Sequence, residues 1–460
     1  MRRLQLIIGI VGLGLVAGAI TTAPASSGAV KPATRSFLID GAETPRPQLE
    51  QMLTAGRRDG LSEIGAIDRW LATRGGTRST ASRAPHLDNL DDAEIEDLRA
   101  YAMQSGQPFS SLVRWYGDQE EFQAASWRLE ELFPNSYAGM RFHDQGVAAW
   151  MGFNATVPPA ALTLIRTLPG DVMVEVGDLL PKAKWGQYVT AAKRRVNAIA
   201  GRSGVGFDIR TQQIVVKVPP STRPSDASIA GAVTDALPGT AVAVQRTLMN
   251  GRGTDDDTMR GGGYLNDYPN TATKVCTSGF AIRAISSGLK RLATAGHCIR
   301  DAGGVGTDGL YQNHSSDGGS TRITWLWKVY SPSTPDFGYT SHGTMTLYPS
   351  FYYDFDLKRE VHTAAQGRAD IGTHLCHFGR ETGQACGPVI NPVYDVDDAC
   401  CQTLVGAPRE SGDSGGPWYW GYMAFGIHHG YPPGDPTISA FSPIHMLGDY
   451  ASGWEIWTTP

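Results

Sequence analysis

Hydrophobic and polar residues alternate in two different ways along the chain, and the change of pattern divides it. Between residues 92 and 248, apolar residues recur at helical spacing, as at 92–103 and 119–132, and short strand-like runs separate these stretches. After residue 263, short apolar runs alternate with turns rich in Gly, Pro, Ser and Asp, a pattern typical of strands. The sequence therefore predicts an α+β region followed by an all-β domain.

Two units of similar pattern follow one another in the α+β region, at about 118–180 and 186–248. Each has a helical stretch, two strand-like runs, a second helical stretch and a last strand-like run, and a Val-Pro-Pro anchor recurs at 157–159 and 218–220. Neither unit contains a cysteine or a cluster of reactive side chains. We predict one α+β region over 93–257, without a catalytic site of its own.

The first residues have the pattern of an export signal. Arg2 and Arg3 precede an apolar run over 6–20, and small residues follow it, which predicts a signal peptide at 1–25. We therefore expect a secreted, extracellular protein with no membrane partner after signal cleavage. Residues 26–92 are rich in Ala, Thr, Arg, Pro and Gly, and we interpret them as a linker-like segment with one helix near 47–73.

The net charge and the positions of the cysteines indicate which partners and which environment to expect. The net charge is −5, and residues 261–460 hold 12 Lys and Arg against 18 Asp and Glu, which argues against nucleic acid or anionic membrane as the main partner. All six cysteines lie after residue 275. This placement is typical of disulfides confined to the part of an exported chain that must persist outside the cell.

One short stretch carries the strongest chemical signal, Gly412-Asp413-Ser414-Gly415-Gly416-Pro417. A serine hydroxyl needs a base within hydrogen-bond reach and donors for the oxyanion that its attack creates, and flanking glycines let the backbone aim its N–H groups at one point. The stretch Thr294-Ala295-Gly296-His297-Cys298 offers such a base. Together they resemble the signatures of the chymotrypsin-like serine proteases, with His before Ser, and the region in front resembles the pro-region of the alpha-lytic protease and streptogrisin branch.

The resemblance implies a fold and a maturation route. Residues 258–460 are expected to form two six-stranded antiparallel β-barrels with the active site in the cleft between them. The α+β pro-region in front is expected to help the protease fold, to cover its active site and then to be removed. The Gly- and Asp-rich junction near 255–261 is the predicted cleavage segment. A monomer is expected, with its own pro-region in cis and protein or peptide substrates as partners.

The resemblance also assigns roles to residues. Ser414 is the expected nucleophile, His297 the general base and later acid, and the backbone N–H groups of Gly412 and Ser414 the oxyanion hole. The Gly-x-Ser-x-Gly spacing also fits the elbow of a secreted esterase. That fold needs a helix after the serine, which Gly415-Gly416-Pro417 disfavours.

Asp336 is the candidate for the acid that orients the imidazole. Its spacing from His297 and Ser414 resembles that of the family, whereas Asp354 and Asp356 lie closer to the join between the predicted barrels and remain alternatives. No metal and no other cofactor are expected, because the other histidines lack partners at a recognised ligand spacing.

Two disulfides are predicted, Cys276 with Cys298 and Cys376 with Cys386. The first would hold the imidazole of His297 in place, and the second closes a loop that resembles one of the streptogrisin branch. Cys400 and Cys401 are adjacent, so a vicinal disulfide and two free thiols are both open.

The resemblance places the substrate pocket at Pro408, His428, His429 and Gly430. His428 stands where glutamate-specific members contact the substrate carboxylate, so an acidic preference and an apolar one with a structural His428 are both open. Pro408 replaces an acid at the pocket base, which argues against cleavage after Lys or Arg. His377 stands where the branch has an arginine, so a protonated His377 is a candidate partner of Asp413.

These features predict a secreted serine endopeptidase made as a zymogen. Two other functions remain open. A protease-like binding module without turnover would keep the fold and lose the chemistry, and a secreted esterase would use the same nucleophile on a different bond.

Overall fold

The computed structural model describes residues 34–73, 87–142, 146–200, 203–218, 222–246, 260–268, 275–314, 319–355, 357–396, 398–431, 435 and 437–459. The predicted signal peptide, Asp356 and most of the predicted cleavage segment lie outside these residues. Within them, no helix combines the length and the apolar character that a membrane crossing requires.

The segment interpreted as linker-like carries regular structure. The first elements are β1 (Arg35–Ile39), α1 (Pro47–Arg58), α2 (Glu63–Thr73), α3 (Asp92–Ser105) and α4 (Phe109–Tyr116). Where one helix was predicted there are two, because Gly60 takes the left-handed conformation (φ 77°) that ends a helix. Leu53 of α1 and Ile67 of α2 are buried in one hydrophobic cluster.

Two units with the same order of elements come next. The first contains α5 (Gln119–Leu132), β2 (Tyr137–Phe142), β3 (Ala149–Asn154), α6 (Pro159–Ile165) and β4 (Val172–Gly177). The second contains α7 (Trp185–Ala200), β5 (Gly204–Asp208), β6 (Gln213–Val218), α8 (Asp226–Ala236) and β7 (Ala241–Arg246). In each, the first two strands form an antiparallel hairpin and the third pairs in parallel with the second. In the first unit, β1 extends the sheet beside β4.

The region after residue 260 is built mainly of strands. Its first elements are β8 (Tyr264–Asp267), β9 (Val275–Thr277), β10 (Ala281–Ala284), β11 (Lys290–Thr294), α9 (Gly296–Asp301), β12 (Asp308–Gln312), β13 (Ser320–Ser331) and β14 (Thr334–Thr340). Then come β15 (Ser350–Tyr352), β16 (Lys358–Glu360), β17 (Thr363–Ala364), β18 (His374–Gly379), β19 (Gly383–Asp395), β20 (Gln402–Val405), β21 (Pro417–Trp420), β22 (Met423–Gly430), β23 (Ser439–Pro443), α10 (Leu447–Tyr450) and β24 (Trp454–Ile456). Short 3₁₀ turns lie at Lys182–Lys184 and Ile444–Met446.

Six of these strands close into a barrel. They pair in the order β18-β21-β22-β23-β20-β19, and β19 returns to pair with β18, so the ring has no free edge. The eight strands of the other sheet follow the order β24-β10-β11-β14-β13-β12-β8-β9. The described pairings do not join its two ends, so a second closed barrel stays a prediction. The chain thus has one closed barrel and one large antiparallel sheet, as is consistent with a chymotrypsin-like fold.

The second α+β unit continues the barrel sheet. Tyr394 and Asp395 of β19 pair with Gly206 and Val205 of β5, so β5, β6 and β7 extend the sheet outward from the barrel. A Cβ at Gly204 would lie 2.0 Å from the Tyr394 hydroxyl, which is why β5 approaches this ring with glycine. The front half and the barrel therefore share one hydrogen-bonded sheet.

Candidate active site

His297 and Asp336 meet because their strands are neighbours. His297 lies in α9, directly after β11, and Asp336 lies in β14, which pairs with β11. The backbone N–H of His297 donates to Asp336 Oδ1 at 2.8 Å, and its ring Nδ1 lies 2.5 Å from Oδ2. Asp354 lies in an exposed turn, where its own carboxylate accepts from the N–H of Phe355. Of the two described candidates, Asp336 is the one that contacts His297.

Asp336 is fully buried and ionised. Burial alone would raise its pKa, but the charges and hydrogen bonds of His297 and His429 hold the pKa of this carboxyl well below its usual range. Its backbone N–H donates to Ser442 Oγ of β23 at 2.9 Å. This hydrogen bond fixes β14 of the eight-stranded sheet against the closed barrel, so the site lies where the two sheets meet.

Ser414 lies in the turn between β20 and β21. Gly412 has φ 136°, and a Cβ there would lie 1.9 Å from Glu381 Cγ, so the turn requires glycine for both conformation and space. The carbonyl of Gly412 accepts from Thr277 Oγ1 at 2.6 Å. A strand begins at Pro417, where the esterase elbow would need a helix, so that elbow is not formed.

The hydroxyl of Ser414 is hydrogen-bonded to a backbone carbonyl. It donates to the backbone carbonyl of His429 at 3.1 Å, and within the described residues it has no hydrogen bond to the imidazole. Cys298 Sγ lies 3.9 Å from His297 Nε2 and 3.8 Å from the backbone O of Ser414, so both residues approach the same sulfur. The N–H groups of Gly412 and Ser414 have no acceptor in the described part of the chain.

Uncharged hydrogen-bond donors surround the carboxylate of Asp413. Its buried carboxylate accepts from the backbone N–H groups of Glu381, Thr382 and Glu410 at 2.8–3.2 Å and from the Thr382 hydroxyl. Burial lowers the pKa of His377, whose Nε2 lies 2.9 Å from the carbonyl of Pro408. Neutral donors in the loop satisfy this carboxylate, so the structure does not confirm a protonated His377 as the partner of Asp413.

All six cysteines are paired. The bridges join Cys276 to Cys298, Cys376 to Cys386 and Cys400 to Cys401. The first two pairs are those predicted from the sequence. Of the two states left open for the adjacent cysteines, the structure has the vicinal disulfide.

The predicted pocket residues divide between two environments. His428 accepts from Trp418 Nε1 through its Nδ1 at 3.1 Å and stacks on His377, with ring centroids 5.0 Å apart. Burial lowers its pKa well below the usual range, so the ring is neutral. Its Nε2 is buried and has no hydrogen-bond partner among the described residues. The imidazole of His429, in contrast, lies on Asp336, 2.7 Å from Oδ2.

Sequence reasoning missed the side chains that surround the Asp336 carboxylate. Asp398, in the loop after β19, reaches His429 Nε2 at 3.5 Å and accepts from the Tyr330 hydroxyl. Tyr330 comes from β13 and Ser442 from β23. No local motif marks these residues, because contacts between distant strands bring them together.

Similarity to known proteins is found among solved structures. Neither a scan against protein-family models nor a search of curated proteins gave a match. Solved structures similar to the chain include Thermobifida fusca protease A (25% identity, TM-score 0.33), the chymotrypsin of Cellulomonas bogoriensis (20%, 0.32) and the Nocardiopsis protease (24%, 0.34). Each alignment covers 44% of this chain and 100% of the neighbour. These structural neighbours are serine proteases of the chymotrypsin-like and alpha-lytic type.

Proposed function

We propose that the protein is a serine endopeptidase in which Ser414 is the nucleophile, His297 the base and Asp336 the acid that orients the base. The pairing of His297 Nδ1 with the buried, ionised Asp336 carries this proposal, because it fixes the tautomer whose Nε2 can accept a proton. On substrate binding the Ser414 hydroxyl leaves the carbonyl of His429 and donates to His297 Nε2.

The reaction proceeds through an acyl-enzyme. Ser414 Oγ forms a bond to the peptide carbonyl carbon as its proton passes to His297 Nε2. The C–N bond then breaks as His297 returns that proton to the leaving amine, and water repeats the sequence to release the acid. The N–H groups of Gly412 and Ser414 stabilise the oxyanion, a role for which their lack of acceptors among the described residues suits them.

The region before residue 260 is proposed to act in cis as a folding partner in a secreted zymogen. Contacts with the barrel support this role. The Gln119 amide donates to the carbonyl of His374 at 2.9 Å and accepts from its N–H at 2.8 Å. Gln104 pairs in the same way with both backbone groups of Cys386. The pairing of β5 with β19 adds a backbone template for the barrel.

Two classes of substrate side chain suit the pocket, acidic and apolar. The buried Nε2–H of neutral His428 can donate to a substrate carboxylate, which favours Glu or Asp before the scissile bond, whereas the stacked rings around it favour an apolar residue. Peptides that differ only in Glu or Leu at this position distinguish the two. His428→Phe is expected to abolish a preference for Glu and to leave a preference for Leu intact.

A second function, a protease-like module without turnover, is supported by one observation. The Ser414 hydroxyl bonds to the carbonyl of His429 instead of to His297. A binding module would keep this arrangement when a peptide binds, whereas a protease must break it.

Hydrolysis of casein by the secreted protein tests the proposal, with wild type beside Ser414→Ala and the N-terminus of each product read by mass spectrometry. Digestion of casein and cleavage of the wild-type chain near 255–261, with Ser414→Ala inert and uncut, are the expected results. If both proteins are cut alike and neither digests casein, another protease performs the cleavage and the binding module becomes the better proposal.

A further inference from the structure

One carboxylate oxygen of Asp336 contacts two imidazole rings. Its Oδ2 lies 2.5 Å from Nδ1 of His297 and 2.7 Å from Nδ1 of His429, and the two rings lie edge to face with centroids 5.6 Å apart. His429 comes from β22 of the closed barrel, whereas Asp336 belongs to β14 of the other sheet and His297 to α9, which follows β11 of that sheet. A proton donor from the barrel therefore reaches the carboxylate that orients the base.

The second ring nitrogen of His429 lies near another carboxylate. Its Nε2 lies 3.5 Å from Asp398 Oδ1, and the ring is only 7% exposed. Burial opposes a charge on this ring, but the hydrogen bonds and charges of Asp336 and Asp398 outweigh burial and raise the pKa of His429 to about 10. Both ring nitrogens thus donate, and the ring is an imidazolium at neutral pH.

Other charged and titratable groups surround this arrangement. Tyr330 of β13 donates to Asp398, and the guanidinium of Arg300 lies 4.6 Å from the centre of the Tyr330 ring. His428 precedes His429 in β22 and is neutral because burial lowers its pKa, and Arg409 lies close enough to lower it further. Besides its two carboxylates, the His429 ring therefore lies near the rings of His297 and Tyr330, and His428 adjoins it in the chain.

We propose that His429 is a positioning residue of the protease site, which as an imidazolium fixes Asp336 against His297 and keeps the enzyme active at lower pH. This inference rests on the proposed function. A fixed positive charge beside His297 disfavours a second positive charge on that ring. Catalysis needs this ring uncharged, because the uncharged ring accepts the proton of Ser414. Asp398 lies at the far nitrogen of the His429 ring, so the buried charge of His429 has a second carboxylate partner besides Asp336.

Two substitutions separate the charge of His429 from its hydrogen bond. His429→Asn places an amide N–H near the position of Nδ1 but removes the charge, whereas His429→Ala removes both. For His429→Asn we expect the acidic limb of the kcat/KM profile to move up by about one pH unit, with a smaller fall in kcat at the optimum than in His429→Ala. For His429→Ala we expect the same shift and a fall in kcat of about tenfold or more, with KM little changed, because Asp336 loses a donor. His342→Asn, which alters a histidine bonded to the carbonyl of Met345, is the control and is expected to leave the profile unchanged.

A second measurement does not depend on activity. In the Ser414→Ala protein, the ¹⁵N resonances of His429 are assigned by their loss in a protein that also carries His429→Asn, and are then followed through a pH titration. We expect both ring nitrogens to stay protonated above pH 8. Titration of His429 below pH 7, or an unchanged acidic limb in His429→Asn, overturns the inference. If wild type cleaves no peptide, the proposed function fails, and the resonance titration still decides the charge state of His429.

Discussion

Arg359 donates from Nη1 to both carboxylate oxygens of Asp97, at 3.1 and 3.0 Å. Asp97 lies in α3 of the front half, and Arg359 lies in β16 after the predicted cleavage segment. Both side chains are buried, and Asp97 also accepts from the backbone N–H of Gly421 at 2.9 Å. A buried ion pair thus joins the two parts of the chain, and its loss would destabilise their interface.

Replacing Arg359 by methionine is expected to destabilise the full-length chain. The change leaves Asp97 buried without its cation, a defect that costs about 3–5 kcal/mol. Urea unfolding of the Ser414→Ala background, followed by tryptophan fluorescence, measures the loss. Arg128→Met removes an exposed pair with Glu131 and is the matched control, expected to leave the unfolding midpoint nearly unchanged. Equal midpoints for both variants would contradict the prediction.

Stability is expected to depend on pH through Asp97. Burial raises its pKa from 3.8 to about 6 in the folded state. Between about pH 4 and pH 6 the folded state therefore holds a proton that the unfolded chain has released, so this group makes the free energy of unfolding fall as the pH rises. Asp97→Asn is expected to make this slope shallower in a series of urea titrations. A residual slope is expected from Asp395, whose pKa burial also raises to about 6, and an unchanged total slope would rule out the role of Asp97.

Gly412→Ala is expected to lower kcat by about 10²–10³, because a side chain at φ 136° that meets Glu381 misplaces a donor of the proposed oxyanion hole. Steady-state hydrolysis of a peptide substrate measures the effect. Gly453→Ala is the control, since Gly453 also has positive φ (81°) but has open space around it. A comparable loss of kcat in both variants would mean that backbone strain in general, and not the oxyanion donor, is responsible.

Removal of the disulfide beside the base is expected to reduce both stability and activity. Replacing Cys276 and Cys298 by serine opens a loop of sequence separation 22, worth about 3 kcal/mol of unfolding free energy. Because Cys298 follows His297 directly, kcat/KM measured well below the unfolding temperature should fall as well. The matched pair of serines at Cys376 and Cys386 should lose comparable stability with a smaller fall in kcat/KM. The reverse order of activities would contradict the assignment of the first bridge to the base.

Local patterns predicted much of the secondary structure. The apolar spacing at 119–132 predicted α5 with its observed ends, and the pattern at 92–103 predicted all but the last residues of α3. The short helix α4 was not predicted. In the segment interpreted as a linker, regular structure forms because Leu53 and Ile67 are buried in a cluster shared with later elements, a stabilisation that composition does not reveal.

The sequence by itself determined the chemistry that short motifs carry. The stretches around His297 and Ser414 could be recognised from neighbouring residues, because turn geometry depends on local sequence, and the first two cysteine pairs were proposed with the help of the family resemblance. Only the tertiary structure decided the charge of the site. It placed Asp336 and not Asp354 on His297, brought His429 and Asp398 to the same centre, and satisfied Asp413 with backbone donors. These outcomes depend on which strands pair and on which charged groups are shielded from water. Both are set by the packing of residues far apart in the chain.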